Sequence, residues 1–100
     1  MIHVIAIITT KPGKRQEVLE IFRNNIPAVH AEQGCLEYSA AIDAPDTDPS
    51  FGPDVLVAVE KWESPDALRA HAASAHMLAY REEVADLVQH TAVHVLDPVA

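Results

Sequence analysis

The spacing of hydrophobic and polar residues predicts four strands and two helical regions. Residues 2–10 are rich in Ile, Val and Thr, which favour a strand, and Pro12 and Gly13 mark the turn that follows. From residue 14 to about residue 31, apolar residues recur every three or four positions, which predicts an amphipathic helix. Pro27 lies inside this helix, so we expect it to bend or break the helix.

Two further strands are predicted on either side of a loop. Residues 35–42 and 55–62 each predict a strand, in which successive side chains point to opposite faces of the sheet. Residues 43–54, between them, are rich in Pro, Gly and Asp. At twelve residues the loop is long for a hairpin connection, and a lid is one interpretation of it. The alternation places one row of side chains on the same face of each strand: Leu36, Tyr38, Ala40 and Ile42, then Leu56, Ala58, Glu60 and Trp62.

The last third of the chain predicts a second helical region and a final strand. Ser64-Pro65-Asp66 is a strong helix start, and helix is expected to about Ala73. Ser74 is placed to cap a continuation, and residues 91–96 form the fourth predicted strand. The continuation places these apolar residues at helical spacing: Met77, Tyr80, Val84, Leu87 and Val88.

The order βαββαβ predicts the fold class. Crossover connections of one hand give an α+β, ferredoxin-like, four-stranded antiparallel sheet with the helices on one face. One hundred residues suit one domain, so we expect residues 1–100 to form it.

Apolar residues lie on both faces of the first and third predicted strands. Val55, Val57 and Val59 form a row opposite Leu56 and Ala58, although two helices cover only one face of such a sheet. The uncovered face would be a larger apolar patch than monomers usually expose. We therefore expect a homodimer in which two sheets pack face to face.

Charge narrows the choice of partners. Seven basic residues against fifteen acidic residues give a formal net charge of −8, which repels nucleic acid and anionic membrane surfaces. The apolar N-terminus has no basic segment or cleavage site and is too short to span a bilayer. We expect a cytoplasmic protein that binds neither nucleic acid nor membrane.

The sequence does not contain the usual cofactor motifs. Cys35 is the single cysteine, and neither a P-loop nor a dinucleotide-binding glycine motif is present. His71 and His76 lie five residues apart, which on one unbroken helix places them about 140° apart around the axis. Zinc proteases instead use an i, i+4 pair. We expect no flavin, haem or metal.

Several side chains are candidates for chemistry at a pocket. His71 and His76 are candidate general bases, because an imidazole can take up and release a proton under physiological conditions, although isolated histidines are more often structural. Trp62 either fills the core or lines a small-ligand pocket. Glu60, on the same strand face, either pairs with a cation or faces that pocket.

Two tyrosines and a serine complete the candidate set. Tyr38 and Tyr80 are expected to place their rings in the core and their hydroxyl groups in contact with water. The alternative is that they line a pocket. Ser74 fits a helix cap better than a nucleophile, because no Gly-x-Ser-x-Gly motif surrounds it. Ser74 is also a candidate substrate-binding residue.

Four short motifs, in order along nearly the whole chain, resemble the antibiotic biosynthesis monooxygenase family and its quinol monooxygenase branch. The motifs are Pro12-Gly13-Lys14, Glu32-x-Gly34-Cys35-Leu36-x-Tyr38, Glu60-Lys61-Trp62-Glu63-Ser64 and Ala67-Leu68-x-x-His71-x-x-Ser74-x-His76. The resemblance implies a dimeric α/β barrel that oxidises a quinol or related phenol with O2, without flavin or metal.

The same resemblance suggests roles for the candidate residues. His71 is the first-choice base, His76 is the second, and Glu60 orients the base. Trp62, Tyr38 and Tyr80 form an aromatic wall. A small-molecule isomerase would use the same acid and base groups without oxygen, and a non-catalytic dimer would need only the pocket. Haem-degrading relatives need a polar residue and a histidine where this chain has Ala6 and Arg81.

Overall fold

The computed structural model describes residues 1–100 and contains four strands and three helices. The strands are β1 (Ile2–Thr10), β2 (Cys35–Ala41), β3 (Val55–Trp62) and β4 (Val88–Leu96). The helices are α1 (Arg15–His30), α2 (Pro65–Ala72) and α3 (Ala75–Val84). None of the three helices has both the length and the apolar character needed to cross a membrane.

The four strands form one antiparallel sheet in the order β2-β3-β1-β4. Val4 of β1 lies opposite Glu60 of β3 and opposite Val95 of β4, which fixes the register of the central strand. This topology confirms the predicted ferredoxin-like fold.

Alternation along β1 separates the two faces of the sheet. Its even-numbered residues are buried beneath the helices, and its odd-numbered residues are only partly exposed although no helix covers them. The uncovered side, called the open face below, carries Ile5 and Ile7 of β1 beside Val57 and Val59 of β3.

Pro27 does not interrupt α1, which continues to His30. The expected break is therefore wrong. Pro27 lies in the last turn of α1, and its side chain is exposed. The helix therefore loses one backbone hydrogen bond near its end and is not interrupted. The backbone N–H of Ala31 donates to the Pro27 carbonyl at 3.2 Å and closes the helix.

The second helical region consists of two helices with separate caps. The Ser64 hydroxyl accepts from the Ala67 N–H at 3.1 Å, and the Ser74 hydroxyl accepts from the Met77 N–H at 3.4 Å. Both predicted caps are confirmed. The helix is therefore interrupted at residues 73–74, and His71 and His76 lie on separate helices.

The predicted end of this region is wrong. Leu87 and Val88 fit the helical spacing, but α3 ends at Val84 and Val88 already belongs to β4. Val88 pairs with Thr10 across the sheet, and the Lys11 N–H donates to the Leu87 carbonyl at 2.8 Å. Pairing with β1 therefore overrides the local spacing and starts the fourth strand three residues before residue 91.

A register shift at the start of β2 removes Leu36 from its predicted row. The shift lies between Cys35 and Glu37, opposite Trp62 and Lys61 of β3. Leu36 is 53% exposed, whereas Tyr38 is buried as expected. A bulge changes which face a side chain takes, so simple alternation fails at this point.

Candidate active site

A cavity of about 420 Å³ lies between the helices and the sheet. Fourteen of its eighteen lining residues are hydrophobic, and they come from β1, β2, β3, α1, α2, α3 and β4 and the α3–β4 connection. The other four are Glu60, His71, Arg81 and Thr91, and the hydrophobic set includes Tyr38 and Tyr80, each of which carries a hydroxyl group. A mostly apolar cavity with a few polar groups is the usual form of a small-molecule site.

The exposed members of the wall mark the mouth of the cavity. They are Ala72, Arg81, Ala85, Thr91 and Val93, so the mouth opens between the α2–α3 pair and β4. The Arg81 guanidinium donates to the Ala72 carbonyl at 2.6 Å and ties the two helices together there. Small polar molecules and O2 can therefore reach the cavity without opening the sheet.

The loop of residues 43–54 contributes no residue to this wall. The Asp43 carboxylate accepts from the N–H groups of Phe51 and Gly52, both at 2.9 Å, and these bonds hold the pKa of Asp43 below its usual value. Arg15 of α1 donates to the Gly52 carbonyl at 3.4 Å. The loop is thus tied beside the start of α1 and does not line the cavity of its own chain.

His71 is the imidazole in the cavity wall. It is buried in the last turn of α2, and its Nδ1 lies 2.7 Å from Oε2 of Glu32. Its ring packs against Trp62 at a centroid distance of 4.5 Å and against Tyr38 at 5.4 Å. No group of the chain hydrogen-bonds its Nε2, so this nitrogen is free to meet a ligand.

Glu32 also reaches the second histidine. Its Oε2 lies 3.4 Å from Nε2 of His76, and that nitrogen is 3.3 Å from the Ser74 hydroxyl. The expected angular separation of His71 and His76 assumed one unbroken helix. Because the helix is interrupted at Ser74, both imidazole rings instead approach the Glu32 carboxylate.

Glu60 and Trp62 form a second buried polar pair. The indole Nε1 of Trp62 donates to Oε1 of Glu60 at 2.9 Å. Burial raises the pKa of Glu60, and the Trp62 hydrogen bond and the nearby His71 oppose part of that rise. Glu60 lines the cavity, whereas Trp62 is fully buried behind His71 and does not line it.

The aromatic wall is built from Phe22, Tyr38 and Tyr80. Phe22 stacks on Tyr38 at 4.9 Å and meets Tyr80 edge-on at 6.1 Å. Burial is the main cause that raises the pKa of both tyrosines, to about 12 for Tyr80. Both phenols therefore stay protonated at neutral pH. The Tyr80 hydroxyl is buried without a hydrogen-bond partner.

The structure brings together only part of the predicted site. Four predicted residues line the cavity: Tyr38, Glu60, His71 and Tyr80. Three others do not line it: Trp62, Ser74 and His76. Glu32, and not Glu60, makes the hydrogen bond to the His71 ring.

Glu32 and Phe22 are the site residues that sequence reasoning missed. Glu32 opens the second of the four motifs, two residues before Gly34, and this position was the available signal. Phe22 was part of the apolar stripe of the first helix, and nothing in the stripe distinguished a cavity wall from ordinary core.

Fold and cavity together define a ferredoxin-like α+β protein with an apolar cavity between its helices and sheet. The sequence profile of the family "Antibiotic biosynthesis monooxygenase" matches residues 1–92. The "Probable quinol monooxygenase YgiN" of Escherichia coli K12 is 40% identical over 102 aligned residues, which cover 98% of each chain. This chain therefore belongs to the antibiotic biosynthesis monooxygenase family.

Solved structures share the fold over nearly the full length. Rv0793 from Mycobacterium tuberculosis has 31% sequence identity and a TM-score of 0.83, with 99% of this chain and 95% of that chain covered. PA3566 from Pseudomonas aeruginosa has 26% identity and a TM-score of 0.83, with 99% and 94% covered. A further family structure, titled "Crystal structure of antibiotic biosynthesis monooxygenase", has 29% identity, a TM-score of 0.82 and full coverage of both chains.

Proposed function

We propose that the chain oxidises a quinol or related phenol with O2 and adds one oxygen atom to a ring carbon, without a flavin. The observation that carries this proposal is the Glu32–His71 pair, with an unpartnered imidazole nitrogen at the wall of an apolar cavity. The family and the printed name of the Escherichia coli relative support the same class of reaction.

His71 is the general base in this proposal. Glu32 accepts a hydrogen bond from Nδ1 and so keeps the proton on that nitrogen, which leaves the lone pair of Nε2 free for a phenolic proton. The resulting imidazolium is stabilised by the Glu32 carboxylate and by the carboxyl end of α2, where His71 lies. The electron-rich phenolate then stays in a low-dielectric cavity from which it can reduce O2.

The cavity suits an aromatic ring with few charges. Its volume of about 420 Å³ is within the range of roughly 300–1,000 Å³ found for small-ligand pockets. Phe22, Tyr38 and Tyr80 offer ring contacts, and the Glu60 oxygen not used by Trp62 is available to a second hydroxyl of the substrate. Glu60 therefore orients the substrate, and Glu32 orients the base.

The reaction balances without an added reductant. The phenolate passes one electron to O2, and the two radicals join at a ring carbon to form a peroxide that His71 protonates. His71 then removes the ring C–H proton as the O–O bond breaks, and the departing hydroxide takes that proton and leaves as water. One oxygen atom stays on the ring, and the quinol supplies all four electrons.

Oxygen consumption tests the proposed function directly. We expect purified protein to consume one O2 per quinol in an oxygen electrode, because the substrate supplies every electron. Added catalase should return no oxygen, and 18O2 should label the product. Release of hydrogen peroxide would instead indicate a simple oxidase. A lack of uptake with every quinol, phenol and hydroxylated naphthalene in a panel would favour the isomerase or binding alternatives.

We also propose that the open face forms a homodimer interface. No element of the chain covers the row of Ile5, Ile7, Val57 and Val59 on this face. On the neighbouring strand β4, Ala92 and His94 lie opposite Ile7 and Ile5 on this face, and His94 is exposed. A second sheet packed against this face would bury the row, as the predicted dimeric α/β barrel requires.

Light scattering at micromolar concentration is expected to give twice the 10.9 kDa mass of one chain. Ile7→Lys should shift the mass toward one chain, because a buried, unpaired ammonium group is costly. Leu78→Lys is the matched control, since Leu78 is 54% exposed on α3. A single-chain mass for the unmodified protein, or equal effects of the two variants, would contradict the dimer.

A further inference from the structure

Three side chains with metal-binding atoms converge beside the cavity. Glu32 follows α1, His71 lies in α2 and His76 lies in α3, so three separate segments supply them. One possible ligand atom from each of the three residues lies within 4.8 Å of the other two. Residues on one helix can be close simply because of the helical repeat, whereas these three side chains come together from separate segments.

The two separations from Glu32 are near those expected around a shared ion. Glu32 Oε2 is 2.7 Å from Nδ1 of His71 and 3.4 Å from Nε2 of His76. Ions that bind nitrogen and oxygen at about 2.0–2.2 Å hold neighbouring donor atoms roughly 3–3.5 Å apart. Small side-chain rotations would therefore bring all three atoms onto one ion. The cluster is sheltered, since His71 is 6% exposed and Glu32 is 15% exposed in their side chains.

We propose that Glu32, His71 and His76 bind one divalent transition-metal ion of the zinc class. Two imidazoles and one carboxylate suit Zn2+, Co2+ and related ions. They do not suit Ca2+ or Mg2+, which take oxygen ligands almost exclusively. The remaining coordination positions would be filled by water, because His76 keeps 29% of its side chain exposed at this edge.

The ion would lie outside the substrate cavity. Neither Glu32 nor His76 lines the cavity, and His71 offers the ion its Nδ1, the nitrogen on the Glu32 side. A substrate at Nε2 would therefore not touch the metal. The site differs in this respect from a catalytic centre, where an open coordination position faces the substrate.

Metal binding would change the proton positions on His71. A metal on Nδ1 displaces the proton from that nitrogen, and a neutral ring then carries its proton on Nε2. An imidazole in that form cannot accept a phenolic proton. The ion would thus prevent His71 from acting as the base. This inhibition rests on the proposed function, whereas the proposal that the three residues bind a metal ion does not.

Calorimetric titration of the EDTA-treated and dialysed protein with ZnCl2 tests the site in the absence of substrate. We expect one equivalent of Zn2+ per chain, and visible absorption bands when Co2+ is used. Glu32→Gln and His76→Ala should each weaken binding by about tenfold or more, because each removes one of three ligands. Both positions are partly exposed, and circular dichroism would verify that the variants are folded.

His90→Ala is the matched control, because His90 is exposed on β4 and outside the cluster. It should leave zinc binding unchanged. The proposal is overturned if the unmodified protein binds no Zn2+ or Co2+, if both ligand variants bind as before, or if His90→Ala loses as much affinity. Zinc inhibition of oxygen uptake, reversed by EDTA, tests the effect on the base separately from binding.

Discussion

His71→Ala is expected to lower kcat/KM for quinol oxidation by about 10²- to 10⁴-fold, the usual effect of removing a positioned base. His71 lines the cavity, its Nδ1 is hydrogen-bonded to Glu32, and no group of the chain hydrogen-bonds its Nε2. Oxygen-electrode assays at several quinol concentrations would measure the change. We expect the loss mainly in kcat, because the apolar wall that binds the ring is retained.

A matched variant separates loss of the base from loss of stability. His71 is buried against Trp62 and pairs with Glu32, so alanine should also destabilise the fold by about 1–3 kcal/mol. His71→Asn retains an N–H donor near the position of Nδ1 but has no nitrogen at the position of Nε2. It should recover much of the stability and none of the activity.

Two other histidines provide the comparison. His76→Ala should lower kcat/KM by less than about tenfold, because His76 does not line the cavity and contacts Glu32 only from the other side. His90→Ala, on exposed β4, should keep the unmodified rate. An active His71→Asn protein together with an inactive His76→Ala protein would transfer the role of base to His76.

Gly34→Ala is expected to destabilise the protein by about 2–5 kcal/mol, combining left-handed backbone strain with overpacking. Gly34 has a φ of +87°, and a Cβ atom there would lie 2.6 Å from Cβ of Ala67 in α2. The clash would push α2, which carries His71, away from the turn that carries Glu32. Chemical denaturation would measure the loss of stability.

Gly13→Ala is the control for the backbone part of this effect. Gly13 has a similar φ of +77°, but no atom lies within 4 Å of its Cβ position, so the cost should be about 1–2 kcal/mol. Adding Ala67→Gly to Gly34→Ala should recover the steric part alone. Equal costs for the two glycine variants would show that the contact with Ala67 has no energetic role.

Much of the fold could be predicted because short-range rules operate along most of the chain. The alternation in β1 and β3, the Pro-Gly turn and the two serine caps all depend on neighbouring residues, and each appears in the structure. Predictions failed where a distant partner decided the outcome. Thr10 of β1 pairs with Val88 and draws it into β4, and the bulge opposite β3 exposes Leu36.

The candidate site was predicted less completely than the fold. His71, Glu60, Tyr38 and Tyr80 were named and do line the cavity, because their strand faces or helical spacing pointed toward the core. Glu32 was missed, since it lies 39 positions from His71 and no local pattern joins the two. The family resemblance suggested the orienting role for Glu60, and no pattern in the sequence linked Glu32 to His71 instead.

The sequence by itself determined the order of elements, the apolar row on each sheet face and the break of the second helix at Ser74. Those features follow from side-chain period and capping, which act over a few residues. Only the tertiary structure decided which carboxylate meets His71, that Trp62 lies behind the ring rather than in the cavity, and that His76 approaches the same carboxylate. Contacts of this kind depend on how the end of α1 packs against α2 and α3, and a relation between distant segments leaves no period in the sequence.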